Sequence, residues 1–226
     1  MARESYTERL DTLRDDVLYM SELVAGRVRD ALDALARNDE ALAQRVIEDD
    51  EEVNDMYLEL ESDCVDLFAL QQPVAGDLRL IASSFKIITD LERIGDLATN
   101  LGEYSLEAER DVFPEVDIQD IAGVTIEMVE DAMDAYDRED DDLCYTIGET
   151  DDAVDERCEA ASEAVVRDLI EREMETDSSD AEIEQLMADV SRLLLTIRDI
   201  ERVGDHAVNI AARTLYMAEN DAALIY

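Results

Sequence analysis

DLERIGDLATN, Asp90–Asn100, returns as DIERVGDHAVN at Asp199–Asn209, with seven of eleven residues identical and a spacing of 109 residues. Upstream the spacing is 101: Ala31, Asp33, Ala34, Arg37, Asp39, Leu42, Asp50, Val53 and Val65 meet Ala132, Asp134, Ala135, Arg138, Asp140, Leu143, Asp151, Val154 and Val166. The chain is therefore an internal duplication. The eight extra residues of the later copy fall where its second and third helices connect.

Each copy reads as helix. Seven glycines and two prolines are too few to punctuate many short strands, while Ala, Leu, Glu, Asp and Arg recur at helical spacing. The pattern predicts helices over about Ser5–Ala36, Glu40–Leu70, Ala75–Glu109, Ile118–Tyr136, Asp141–Met174 and Ala181–Ala218. Asn38-Asp39 supplies a turn and an N-cap, Pro73 breaks the chain, Asp111, Pro114 and Asp117 mark a linker and the next cap, and residues 176–180 form a polar loop. Helices of more than 30 residues are about 45 Å long, which suits elongated bundles. The fold class is all-α, with two tandem three-helix bundles at 1–110 and 117–226.

The repeated acids follow the apolar stripe. At about 100° per residue, with Glu92 at zero, Leu78, Ile81, Phe85 and Ile88 all fall within about 40°. Asp96 lies at about 40° and Asn100 at about 80°, a polar staircase along the rim of that face. Met187, Val190, Leu194 and Ile197 repeat the stripe around Glu201, with Asp205 and Asn209 completing it. On the preceding helix Asp50 and Asn54 border the stripe of Val46, Val53, Tyr57 and Leu60, and Asp151 and Asp155 take the corresponding places.

Carboxylates on a partner-facing stripe lose hydration and require a countercharge. Arg93 and Arg202 are the internal possibility. Bound hard cations such as Mg²⁺, Mn²⁺, Ca²⁺ or iron are the other, since i, i+4 acidic pairs from neighbouring helices can converge on them, with Asn54, Asn100 and Asn209 as further oxygen ligands. Gly95 and Gly204, in mid-helix, point to close helix approach or room for a ligand.

Composition narrows the function. Against 61 acidic residues stand 19 basic ones, Lys86 being the single lysine, so the formal charge is −42. Such a surface repels nucleic acid and anionic lipid. With 47% hydrophobic residues the chain nonetheless folds. Acidity with almost no lysine is expected of a salt-adapted protein, because molar salt shortens the Debye length to about 3 Å. Cys64, Cys144 and Cys158 form no C-x-x-C pair, so neither a disulfide framework nor a thiolate zinc site is indicated, and Cys64 is expected in the core. Charged residues interrupt every stretch before the roughly 20 apolar residues a membrane span needs, and no leader pattern opens the chain; a cytoplasmic protein is expected. His206 is the sole histidine, with Leu97 at its place in the first copy, so the paired Glu-x-x-His of a di-iron enzyme is missing. Phosphate-binding loops and nucleophile elbows are absent too, and no enzymatic activity is expected.

AQRVIEDDEEVND, QQPVAGDLRLIASSFKIITDLERIGDLA and DIERVGDHAVNI resemble the PhoU family of phosphate-uptake regulators, over nearly the whole chain and in the right order. The chain looks like an acidic, haloarchaeal-type member. The resemblance implies two three-helix bundles related by a pseudo-twofold, and E(D)xxxD motifs that hold metal in relatives, here Glu92 and Asp96, and Glu201 and Asp205. Asp50, Asn54, Asp151 and Asp155 also fit the family pattern. The second half lacks the proline and the DLR string that open the third helix of the first, so its bundle is expected to be less regular there. By resemblance the function is negative regulation of a phosphate-specific ABC transporter, through its ATPase subunit and a sensor kinase, by a homodimer carrying Mg, Mn or Fe. Regulation of an ion-coupled phosphate permease and a metal-free helical adaptor are the alternatives.

Overall fold

Asn38 takes φ 51° and Glu139, its counterpart 101 residues on, φ 56°; each ends one long helix and turns the chain into the next. The following residue caps that next helix: Asp39 accepts from the amide of Leu42 at 3.0 Å, and Asp140 from that of Leu143 at 3.1 Å. These paired corners belong to a computed structural model that describes residues 2–70, 74–107, 117–175, 179–221 and 223–224. The helices are α1 (Ala2–Arg37), α2 (Glu40–Glu48), α3 (Asp50–Leu70), α4 (Ala75–Glu107), α5 (Ile118–Arg138), α6 (Asp141–Glu175) and α7 (Asp180–Glu219). Among the described residues there is no strand.

The all-α expectation holds, with the six long rods in the expected order. The second rod is interrupted at Asp49 into α2 and α3, whereas α6, its counterpart, runs through unbroken. Asp117 caps α5 through the amide of Asp120, and Glu182 folds back to accept from the amide of Ser179 at the start of α7. The expected break at Pro73, the linker at Asp111 and Pro114, and most of the polar loop before α7 lie outside the described residues.

α1 packs on α2, α3 and α4, and α5 packs on α6 and α7. α4 and α7 then lie antiparallel along one another: the Ser83 hydroxyl donates to the Arg213 carbonyl at 3.0 Å, while Tyr104, further along α4, reaches back to Asp199. One apolar cluster runs through both halves, from Leu13, Val17 and Met20 through Ile88, Leu91 and Ile94 to Ile197, Ile200 and Val203. Cys64 is fully buried in it, as expected, as is Val165, which takes its place in the later half. The α6–α7 end leaves Val166, Ile170 and Met187 exposed. No described helix is long and apolar enough to cross a membrane.

Candidate metal centre

The repeated strings put their glutamates and aspartates where helix faces part from one another. Glu92 and Glu201 are half-buried, and Asp96 and Asp205, one turn on, are exposed at the rim. Asp50 and Asn54 on α3 and Asp151 on α6 are half-buried, with Asp155 exposed. Two acidic clusters result, one per half. No three His, Cys, Asp or Glu side chains among the described residues are already gathered as a metal-binding set. Ligation would require the carboxylates to draw together.

In the first half, burial raises the Glu92 carboxyl, Asp96 and Asp50 raise it further, and Arg93 and His206 oppose them. Asp96 is raised by burial and by Asp50, against Arg27 and Arg202. Cations thus accompany these acids, and Arg27 is in contact with Asp50. Its guanidinium, only 7% exposed, lies 3.1 Å from Asp50 and donates to the carbonyls of Val46 at 2.7 Å and Asp49 at 2.9 Å. Those carbonyls lie where the rod breaks, and the Asp49 carbonyl also accepts from the Glu52 amide at 3.3 Å, so Arg27 is an added donor at the interruption. Thr99 and Asn54 donate to the two Asp50 oxygens at 3.1 and 2.8 Å.

Among the described residues no arginine touches Asp151, the counterpart of Asp50, in the second half. Burial first, and then Asp155, Asp205, Asp152 and Glu201, push the Asp151 carboxyl from 3.8 to about 7. Asp155 is raised by burial, Asp205 and Asp152; Glu201 by burial, Asp155 and Asp205. Oδ1 of Asp151 is out of reach of solvent and has no hydrogen-bond partner among the described residues. It rests where a Cβ on Gly204 would come within 3.0 Å, beside the Met128 methyl. At Gly95 the same space is taken by Val53. The orphaned oxygen, the four-carboxylate donor set and the absence of a Cβ at Gly204 fit a hard, oxygen-preferring cation. The first half fits less well, because Asp50 is already satisfied.

Asn100 and Asn209 do not join these acids. They reach across the α4–α7 contact instead: Asn100 donates to Asp199 at 3.2 Å, and Asn209 to Asp90 at 3.4 Å. Asp199, fully buried, also accepts from Tyr104 at 2.9 Å and is paired with Arg198 at 3.0 Å. Burial, and then the Asp199 carboxylate, push the Tyr104 phenol up to about 12. Asp90 is met by Nδ1 of His206 at 2.9 Å. Of the arginines expected as internal countercharges, Arg93 acts on Glu92 and Arg202 on Asp96 without touching them; Arg202 approaches Asp199 at 3.7 Å, and Arg27 is a further cation, paired with Asp50. Asp90, Asp199 and Arg27 were missed from sequence.

The PhoU domain model matches residues 17–105 and again 118–214. The phosphate-specific transport system accessory protein PhoU homolog of Pseudomonas putida is 35% identical over 217 residues, 95% of this chain and 80% of that protein. The accessory protein PhoU of Escherichia coli K12 is 33% identical, across 93% of this chain and 84% of its own length. The crystal structure of PhoU from Pseudomonas aeruginosa superposes with a TM-score of 0.85 at 33% identity, covering 96% of this chain and all of that one. The phosphate transport system regulatory protein PhoU from Streptococcus pneumoniae, 24% identical, has the same fold at a TM-score of 0.85.

Proposed function

The chain belongs to the PhoU family, and from that premise we propose that it is a metal-binding regulatory adaptor of phosphate uptake. It acts as a cytoplasmic homodimer that restrains a phosphate-specific ABC transporter when phosphate is plentiful. Its partners are the transporter's ATPase subunit and, where the lineage has one, a sensor kinase. Relatives named as accessory proteins of phosphate-specific transport, matched along both halves, support this reading. It works by docking and not by catalysis.

The metal part rests on one observation, the buried Asp151 oxygen with no donor beside three further carboxylates. Asp151, Asp155, Glu201 and Asp205 would hold a Mg²⁺, Mn²⁺ or iron ion, which would neutralise their mutual repulsion and tie α6 to α7. The expected result of affinity capture in molar salt is recovery of the ABC subunits from phosphate-replete cells and much less from starved ones. Recovery of an ion-coupled permease instead would transfer the regulator to that transporter, and recovery of neither would refute the reading.

A further inference from the structure

The two halves repeat their acids but not the groups that satisfy them. Asp50 is held by Arg27, Thr99 and Asn54. At the duplicated places stand Met128, Val208 and Asp155, none of which can donate. We infer that the two clusters are unequal: the carboxylates around Asp151 take up the metal ion, whereas in the first half the Arg27 guanidinium is a built-in cation that excludes one. This rests on the metal-bearing reading above and sharpens it.

Arg27 is suited to the role. Arginine keeps its charge at any physiological pH, and its planar fork serves several acceptors at once. Here it spans Val46, Asp49, Asp50 and Thr99 while almost wholly buried. The interruption at Asp49 gives it carbonyls to hold, and α6, unbroken at the same level, offers none. A metal ion approaching Asp50 would meet that positive charge at close range in a poorly hydrated site. Met128 leaves the corresponding space in the second half uncharged, its methyl lying with the orphaned Asp151 oxygen against Gly204.

The test is metal stoichiometry. Full-length protein in molar KCl is stripped with chelator and titrated with Mn²⁺ alone, bound metal being read by loss of the free-ion paramagnetic signal and by elemental analysis after gel filtration. Asp151→Asn and Glu201→Gln are each expected to weaken the tight class at least tenfold, while Glu92→Gln and Asp96→Asn change it less than twofold. Arg27→Met should add a second class that disappears when Glu92→Gln is combined with it. Circular dichroism verifies folding. Should Arg27→Met not fold, Met128→Arg provides the reciprocal test, since it should abolish tight binding. Equal losses from Glu92→Gln and Glu201→Gln would overturn the inequality and leave the metal reading standing. A folded Arg27→Met without the added class, or a folded Met128→Arg that still binds, would overturn the role of Arg27. A wild-type chain that retains no Mn²⁺ would overturn the metal reading itself.

Discussion

Replacing Asp151 by asparagine should make the metal-free protein more stable at neutral pH. In the folded chain the carboxyl is raised from 3.8 to about 7 by burial and four neighbouring acids. The folded state therefore binds this proton more tightly than the unfolded one. Its stabilising contribution is complete below about pH 4 and is lost as pH rises through about 7. A shift of roughly three units corresponds to about 4 kcal/mol for an enclosed group, but this side chain is only half-buried, and solvent screening reduces the figure to about 1–2 kcal/mol. Asparagine has the same shape and no charge, and its amide can donate to the acids that crowd the site. In molar KCl with chelator at pH 8, Asp151→Asn should melt about 3–6 °C above wild type, given roughly 2–4 °C per kcal/mol for a chain of this size. The gap should close toward pH 4. With saturating Mn²⁺ the order should invert, since wild type gains the larger binding energy. A variant that melts below wild type at pH 8 without metal, or a gap indifferent to pH, would refute the reasoning.

Glycine substitutions should separate open helix from close approach: Gly26→Ala, with nothing within 4 Å of its Cβ, should stabilise by about 0.5–1 kcal/mol, as read by denaturant titration. Gly102→Ala should instead cost about 1–2 kcal/mol, because its Cβ would sit 3.3 Å from both the Ala43 carbonyl and the Ile47 side chain. Asp199→Ala, which leaves Asn100 and Tyr104 without their buried acceptor, should cost about 3–5 kcal/mol in the same assay; a loss under 1 kcal/mol would show that water substitutes freely. With a formal charge of −42, the melting temperature in KCl should rise steeply between dilute buffer and about 1 M, where screening shortens the Debye length to about 3 Å; a flat salt profile would contradict salt adaptation.

The rods and their order were legible because hydrophobic period, turn residue and cap agree at Asn38-Asp39, and the duplication carries Asp39 onto Asp140. The interruption at Asp49 was not, since Asp49 and Asp50 are ordinary first-turn residues, and the buried guanidinium that donates to its carbonyls comes from α1, far away in sequence. A single apolar stripe served well for Glu92 and Glu201. It failed for Asn100 and Asn209 because α4 and α7 each bury two faces, one in their own half and one against the other. Asp90 and Asp199 point to that second face, and a wheel drawn around one stripe treats them as solvent-facing. Both open the repeated string, and that recurrence was the available signal. Arg27 left a fainter trace, the mismatch with Met128 at the duplicated place.

The crossed pairs, Asn100 with Asp199 and Asn209 with Asp90, have a consequence for ancestry. A chain bearing one copy of the repeat would make this junction by meeting its twin, and every change would then be written on both sides of the axis. Joining the copies into one gene lifted that constraint. His206 could arise opposite Asp90 while leucine stayed at position 97, and an arginine could be kept in α1 while methionine settled in α5, so that two inherited mirror images became free to take separate tasks.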